Sequence, residues 1–254
     1  MTQRVLVTAG AAGIGRAIAE KFLNDGAQVA ICDVDQEQLD AMAVEHPQLI
    51  TKRADVTNEA DMDAFLQKLE ADWQGVDVVC ANAGTGGPAG RIETLDYAEW
   101  QTCVATNLHS SFLTCRWAAR LMRAQGSGLI CLTSSTAGQM GYPLRSPYAA
   151  AKWAIVGLTK TLAMELGEAG VRVNAICPGA VTGPRMDRVI ANEAQARGQE
   201  EEEVRLSYVK GVSMKTWVTA QDIANTISFL ASPAGAKISG QILAVDGHTE
   251  TLAP

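Results

Sequence analysis

Short apolar runs rich in valine and isoleucine alternate with longer helical patterns along the whole chain of 254 residues. Several runs lack the polar alternation of half-exposed strands, which is typical of strands covered on both faces. We predict seven strands, at 4–8, 28–33, 49–53, 76–80, 128–134, 171–176 and 241–245. Helical patterns lie between them, at about 14–25, 36–45, 58–73, 97–125, 148–168 and 220–231. Such repetition implies right-handed crossovers and one parallel sheet with helices on both faces.

No linker, internal repeat or low-complexity tract interrupts this alternation, which predicts a single α/β domain over 1–254 with a doubly wound, seven-stranded sheet. The one irregular segment is 179–219, and it contains the acidic run Glu200–Glu203. Such a run is typical of a solvated helix face. As an insertion between the last two strands, the part at about 183–215 is alternatively a mobile lid over a pocket.

Composition excludes several classes of protein. Hydrophobic residues make up 47% of the chain and charged residues 19%, enough apolar material for a sizeable core. The net charge of −7 argues against nucleic-acid and anionic-membrane partners. No apolar stretch approaches the length of a membrane span, so we expect a cytoplasmic location. The six cysteines contain no CxxC pair and the three histidines lack metal-ligand spacing, so neither disulfides nor a metal site is expected.

A glycine-rich turn joins the first predicted strand to the first predicted helix. Residues 8–15 read Thr-Ala-Gly-Ala-Ala-Gly-Ile-Gly, which makes Gly10, Gly13 and Gly15 candidates for contact with a pyrophosphate. Glycine permits close backbone approach, and a helix N-terminus offers free N–H groups to an anion. Tight turns without a ligand also use glycine, but the position after the first strand favours a dinucleotide site.

Asp33 ends the second predicted strand, about 20 positions after the turn. A carboxylate there can accept hydrogen bonds from the hydroxyls of an adenosine ribose and would repel a 2′-phosphate. Ala12, within the turn, supplies no positive charge for such a phosphate. An ordinary turn aspartate is the alternative interpretation. The pair favours NAD over NADP.

Tyr148 and Lys152 are four residues apart at the start of a predicted helix, so their side chains share one face. A phenol ionises at a pH of about 10, and a nearby ammonium favours its charged form, as a general base requires. Chance supplies many such pairs, so this spacing alone is weak.

The rest of the chain resembles the short-chain dehydrogenase/reductase family over nearly its whole length. The resemblance rests on seven motifs in family order: the turn at 8–15, Asp55-Val56, Asn82-Ala83-Gly84, Asn107, Ser134-Ser135, Tyr148 with Lys152, and Pro178-Gly179. It implies a Rossmann-type fold and a nicotinamide-dependent oxidoreductase.

The resemblance also implies roles for individual residues. Tyr148 would exchange a proton with the substrate oxygen, and Ser135, with Ser134 as the alternative, would hydrogen-bond that oxygen. Lys152 would favour the phenolate and hold the nicotinamide ribose, while Asn107 would position a water that links Lys152 to solvent. The remaining cofactor contacts would come from Ile14, Asp55, Val56, Asn82, Ala83, Gly84, Pro178, Gly179 and Val181.

Two positions depart from the family pattern. Ala9 stands where the family has glycine directly after the threonine, and its methyl group fits there on the condition that the local φ is negative. Gly183 stands where a threonine commonly meets the carboxamide, and either Thr182 or a backbone amide could replace it.

Arg145 and Arg185 fall in loops expected around the mouth of the site. A guanidinium fork suits a carboxylate, sulfonate or phosphate, so we expect at least one of them to read an anionic or hydroxyl-rich substrate. Surface arginines in ordinary ion pairs are the alternative. Resemblance further implies a homotetramer.

Together these features predict an NAD(H)-dependent oxidoreductase that acts on a secondary alcohol or ketone of a polyol, sugar or hydroxy acid. Two alternatives remain open: an NADPH-dependent 3-ketoacyl-type reductase of the same family, and a non-catalytic dinucleotide-binding sensor. The second needs none of the serine, tyrosine, lysine and asparagine that this chain retains.

Overall fold

A computed structural model describes residues 2–252 of the chain. Its core is one seven-stranded sheet in the order β3-β2-β1-β4-β5-β6-β7, and every neighbouring pair is parallel. The strands are β1 (Arg4–Thr8), β2 (Gln28–Asp33), β3 (Ile50–Arg53), β4 (Val78–Ala81), β5 (Gly128–Thr133), β6 (Val171–Pro178) and β7 (Ile242–Val245). The predicted doubly wound parallel sheet is confirmed.

Nine α-helices lie within the described residues. They are α1 (Gly13–Asn24), α2 (Gln36–Glu45), α3 (Glu59–Trp73), α4 (Tyr97–Val104), α5 (Ser110–Gln125), α6 (Ser146–Gly167), α7 (Pro184–Arg197), α8 (Glu201–Lys210) and α9 (Ala220–Ala231). None of the helices in residues 2–252 combines the length and the apolar character needed to cross a membrane.

Two apolar cores, one on each face of the sheet, hold these layers together. Alternate residues of β1 contribute to the two cores. Leu6 belongs to the core beneath α3, α5 and α6. Val5 and Val7 belong to the core beneath α1, α2 and α9. All three side chains are fully buried. Burial on both faces explains why the strand reads as an unbroken apolar run.

The structure divides the single helix predicted over 97–125. α4 and α5 are separated by one π-helical turn, Ala105–His109, which contains Asn107. An extra residue in a helical turn changes the direction of the side chains that follow, and such turns occur frequently at functional sites.

The segment 179–219 is also more regular than predicted, because it forms α7 and α8. These helices share a small apolar cluster of Ile190, Ala194 and Val204, separate from the two main cores. The acidic residues Glu201–Glu203 form the exposed first turn of α8, as the solvated-face interpretation requires.

Candidate active site

The candidate cleft lies at the carboxyl ends of the strands, where the chain order reverses between β1 and β4. Thr8 at the end of β1 accepts hydrogen bonds from the backbone N–H groups of Asn82 and Ala83, at 3.0 and 3.1 Å. The Asn82 side chain donates to the Thr8 carbonyl at 3.2 Å and accepts from the Thr133 hydroxyl at 3.2 Å. Asn82 therefore joins the ends of three neighbouring strands and fixes the floor of the cleft.

The glycine-rich turn has the close packing that a phosphate-binding turn needs. A Cβ on Gly15 would lie 2.0 Å from the Ala9 carbonyl oxygen, and one on Gly10 would lie 2.5 Å from Cγ2 of Ile31. Gly13 has a φ of +53°, and nothing lies within 4 Å of where its Cβ would be. The first turn of α1 holds no acidic residue, so its positive end is not neutralised by a side chain of that turn.

Ala9 does not meet the condition of a negative φ. Its φ is +50°, in the left-handed region that costs a residue with a Cβ about 1–2 kcal/mol. The turn imposes this conformation, because the Ala9 carbonyl accepts from the Asn82 side chain at 3.3 Å while the following Gly10 N–H donates to the Cys32 carbonyl at 3.1 Å. The methyl group is tolerated at the expense of backbone strain.

Asp33 lies at the end of β2 with its carboxylate turned towards the glycine-rich turn. Its Oδ2 accepts from the Ala11 N–H at 3.2 Å, and its Oδ1 accepts from the Val34 and Asp35 N–H groups at 2.8 and 3.2 Å. Each carboxylate oxygen has two lone pairs, so Oδ2, which accepts from the Ala11 N–H alone, retains capacity for a ribose hydroxyl.

Arg16, the cation of the first turns of α1, is already paired. Its Nε donates to Glu20 at 2.7 Å and its Nη2 to Glu45 at 2.5 Å. His46 lies 3.5 Å from the same Glu20, which gives a cluster of three ligand-type side chains outside the cleft. Because Arg16 is paired with both carboxylates, it is not a free partner for a 2′-phosphate.

Tyr148 and Lys152 share one face of α6, as their spacing predicts. The Lys152 amine lies 5.6 Å from the centre of the Tyr148 ring and donates to the Thr133 carbonyl at 2.8 Å. The Tyr148 hydroxyl has no hydrogen-bond partner within residues 2–252, so it is free to meet a ligand.

Burial dominates the electrostatics of Lys152. Only 2% of the residue is exposed, and burial, followed by the positive charge of Arg185, lowers the pKa of Lys152 to about 7. An amine in this position therefore changes charge near neutral pH.

Asn107 lies in the π-helical turn, and its side chain is oriented by two backbone carbonyls. Its Nδ2 donates to Thr85 at 2.9 Å and to Cys103 at 2.8 Å. These bonds leave Oδ1 buried with no partner in the described part of the chain. A Cβ on Gly84 would lie 2.7 Å from this oxygen and 3.2 Å from the Lys152 amine, so Gly84 leaves space beside both groups.

The two serines after β5 differ in what their hydroxyls contact. Ser134 is buried, and its hydroxyl donates to the Lys152 carbonyl at 2.8 Å, which ties this strand end to α6. Ser135 Oγ accepts from the Ala137 N–H at 3.1 Å. No acceptor for the Ser135 hydroxyl hydrogen is found in residues 2–252, so of the two it is Ser135 that can donate to a ligand.

The Pro178-Gly179 motif ends β6 and is held against the end of β7. The Gly179 N–H donates to the Val245 carbonyl at 3.0 Å, and a Cβ on Gly179 would lie 2.7 Å from Cβ of Asp246. Val181 forms an isolated parallel bridge with Val218.

The two candidates for contact with the carboxamide of the nicotinamide come next in the chain after Val181. The Thr182 hydroxyl lies 3.5 Å from the Val218 carbonyl, and Gly183 precedes α7 with a φ of +131°. Both alternatives, Thr182 and a backbone amide, stay open.

The other predicted cofactor residues lie at the same edge of the sheet. Asp55 is exposed and accepts from the Thr57 N–H at 2.8 Å, whereas Val56 is buried in one of the main cores. Ala83 belongs to that core too, and Ile14, in α1, packs against the other one.

Arg145 is a buried, paired cation rather than an arginine open at the mouth of the site. It is 2% exposed, its Nη2 donates to the Gly86 carbonyl at 2.7 Å, and its Nη1 lies 3.4 Å from Glu193. Burial of a charge requires a partner, and Glu193 supplies it. Its guanidinium nevertheless lies 5.7 Å from the centre of the Tyr148 ring.

Arg185, in contrast, is exposed in the first turn of α7 and forms no hydrogen bond or ion pair within residues 2–252. Its charge lowers the pKa of Lys152 and stabilises the thiolate form of Cys103, although burial still raises the pKa of that thiol overall. Arg185 is therefore an unpaired cation close enough to Lys152 to affect the charge of that amine.

Sequence reasoning missed a buried polar cluster beside the site, centred on Glu193. Its partners are Tyr142, Arg145, Arg197 and Tyr208. The partner tyrosines are 51 and 15 positions from Glu193, and no local pattern in the sequence signals these contacts.

Comparison with known proteins finds matches over nearly the whole chain. The family model described as enoyl-(acyl carrier protein) reductase matches residues 9–248. The chain is 35% identical to the D-beta-hydroxybutyrate dehydrogenase of Rhizobium meliloti (strain 1021), over 97% of this chain and 98% of that protein.

Solved structures agree over the same length. NAD+-bound xylitol dehydrogenase superposes with a TM-score of 0.92 at 26% identity, over 96% of this chain and 98% of that one. A single-residue variant of actinorhodin polyketide ketoreductase with NADPH superposes with a TM-score of 0.91 at 28% identity, over 97% of this chain and 96% of that one.

Proposed function

Because the chain belongs to the short-chain dehydrogenase/reductase family, a family of nicotinamide-dependent oxidoreductases, we propose that it interconverts a secondary alcohol and a ketone with NAD(H). The observation that carries this proposal is the free Tyr148 hydroxyl above a buried Lys152, with the amine 5.6 Å from the ring centre. When bound, the nicotinamide supplies or accepts the hydride, and the protein supplies orientation and proton transfer.

Tyr148 acts as the acid and base of the proposed reaction. In the reductive direction its hydroxyl gives a proton to the oxygen of the substrate, and in the oxidative direction its phenolate takes that proton back. Ser135 donates a hydrogen bond to the same oxygen and so stabilises charge that develops there. The unpaired O–H of Ser135 supports this role over Ser134, whose hydroxyl is engaged by the Lys152 carbonyl.

Lys152 and Asn107 supply the proton path behind Tyr148. The protonated amine favours the phenolate, and with a pKa near 7 it can release its own proton at working pH. The unpartnered Oδ1 of Asn107 fits a water that connects the amine to solvent. The same amine would hold the hydroxyls of the nicotinamide ribose.

Three features of the described chain support NAD rather than NADP. The Asp33 carboxylate faces the glycine-rich turn, where it can accept from ribose hydroxyls and would repel a 2′-phosphate. Arg16 is committed to Glu20 and Glu45. Ala12 offers the turn no cation.

The NADPH-dependent 3-ketoacyl-type reductase is the second candidate, and the likeness to an NADPH-bound polyketide ketoreductase favours it. Initial rates with NADH and NADPH on one substrate separate the two. A non-catalytic sensor would turn over neither cofactor with any substrate.

Because Arg185 is unpaired, the proposed substrate is anionic or rich in hydroxyl groups. It is an unpaired guanidinium beside the site, and a carboxylate or sulfonate would pair with it. A panel of hydroxy acids, polyols and sugars, followed by absorbance of the reduced nicotinamide, tests the reaction class and the substrate class together. No absorbance change with any member of the panel, in either direction, would refute the enzymatic proposal.

We further propose that the protein is a homotetramer in the cytoplasm. Phe112 on α5 and Trp153 on α6 are about half exposed, which is the kind of apolar surface that subunit contacts cover. Light scattering coupled to gel filtration gives the subunit number directly.

A further inference from the structure

The carboxylate of Glu193 is the centre of the buried polar cluster. Its Oε1 accepts from the Tyr142 hydroxyl at 2.7 Å and from the Tyr208 hydroxyl at 2.8 Å, and lies 3.4 Å from Nη1 of Arg145. Its Oε2 lies 3.4 Å from Nη2 of Arg197. With 1% of the Glu193 side chain exposed, these four partners take the place of water.

The partners come from three parts of the fold. Tyr142 and Arg145 belong to the loop between β5 and α6, Arg197 ends α7, and Tyr208 belongs to α8. Since α7 and α8 share only a small apolar cluster of their own, this carboxylate is a principal polar link from the helix pair to the loop that leads into α6.

The loop between β5 and α6 connects Glu193 to Tyr148. Arg145 directly precedes α6, its carbonyl accepts from the Ala149 N–H at 2.9 Å, and its guanidinium lies 5.7 Å from the centre of the Tyr148 ring. The same guanidinium donates to Gly86, in the segment after β4. A displacement of Glu193 therefore reaches Tyr148 and one wall of the cleft through a single side chain.

The charges make the cluster dependent on Glu193. Two guanidiniums, 2% and 11% exposed, share one carboxylate, and Nε of both Arg145 and Arg197 is buried without a partner in the described part of the chain. Removing the carboxylate would leave two buried cations with no counter-charge, which is strongly unfavourable.

We propose that Glu193 is a positioning residue that holds α7 and α8 against the loop before Tyr148 and thereby sets the substrate wall of the cleft. The proposal rests on the proposed function for its effect on catalysis, and on the structure alone for its effect on the helices. The glycine-rich turn after β1 and Asp33 on β2, which would bind the adenosine half of the cofactor, lie outside the cluster. Thr182 and Gly183 directly precede α7, so the NADH affinity is expected to change, but less than the KM.

Two variants test the proposal in the full-length enzyme. Glu193→Gln keeps the size of the side chain and removes its charge, and Tyr208→Phe removes one donor and serves if the first variant does not fold. Glu202→Gln, at an exposed position of α8, is the matched control. Hydrogen exchange of peptides within 184–210, KM and kcat for the best substrate, and the Kd for NADH are measured for each.

We expect exchange within 184–210 and the KM to rise about tenfold or more in Glu193→Gln, with smaller changes in kcat and in the Kd for NADH. Unchanged exchange in both variants, exchange accelerated throughout the chain, or an equal loss of NADH affinity would each overturn the proposal. Absence of turnover in the parent enzyme would defeat the proposed function, and the exchange result would still decide whether Glu193 holds the helices.

Discussion

The amine of Lys152 lies 5.6 Å from the centre of the Tyr148 ring, in a position where burial and the charge of Arg185 lower the pKa of that amine to about 7. In an unfolded chain the same amine would titrate at about 10.4. In the folded protein, therefore, the amine exists in both its charged and its neutral form at physiological pH. The proton on Lys152 is held loosely enough to be passed on.

This shift predicts how stability depends on pH. Between the folded value near 7 and the unfolded value, the unfolded chain binds the extra proton, so the contribution of Lys152 to stability rises with pH and is lost as pH falls towards 7. From pH 7 to 8.5, the free energy of unfolding of the parent relative to Lys152→Met should increase, by at most about 2 kcal/mol. Urea denaturation at several pH values measures it, and parallel stability curves would contradict the shift.

Removal of the phenol oxygen should separate chemistry from binding. We expect Tyr148→Phe to lower kcat by about 100-fold or more, because general acid–base catalysis contributes that much, while the Kd for NADH stays within about twofold. Tyr97→Phe, at an exposed tyrosine on α4, is the control. Substantial residual turnover in Tyr148→Phe would end the proposed mechanism.

Asp33 should decide the choice of cofactor. Asp33→Asn keeps an oxygen for the backbone N–H donors but removes the negative charge that would repel a 2′-phosphate. The ratio of kcat/KM with NADH to that with NADPH should fall about tenfold or more. Asp40→Asn, on the exposed side of α2, should leave the ratio unchanged, and an equal response of both variants would refute the role of Asp33.

The strained alanine in the glycine-rich turn gives a stability prediction. Ala9→Gly relieves a left-handed residue of about 1–2 kcal/mol of strain, against an entropic loss of about 0.4–1 kcal/mol in the unfolded chain. We expect a net gain of up to about 1.6 kcal/mol in the free energy of unfolding. Ala236→Gly, at an exposed residue with a φ of −58°, incurs the loss without the relief. Equal stability of the two variants would contradict the strain.

The features that could be predicted from the sequence are those that depend on residues close together in the chain. The run of apolar strands predicted the sheet, and the spacing of Tyr148 and Lys152 on one helix face predicted their approach. The conformation of Ala9 and the burial of Arg145 depend instead on contacts between distant segments, such as the 48 positions between Arg145 and Glu193. A helical pattern over 97–125 likewise does not reveal the π-helical turn that orients Asn107.

Arg185 offers the sharpest test of substrate class, because one substitution should change two unrelated measurements. Arg185→Gln removes a positive charge that lowers the pKa of Lys152, so that pKa should rise, and the pH window of the stability difference against Lys152→Met should move upwards with it. If the guanidinium also pairs with a substrate carboxylate, KM for hydroxy acids should rise about tenfold or more while KM for neutral polyols changes less than about twofold. Arg188→Gln is the matched control, because Arg188 lies one helical turn away at an exposed position of α7. A KM that responds equally for charged and neutral substrates would remove Arg185 from substrate recognition and leave its effect on Lys152 as purely electrostatic.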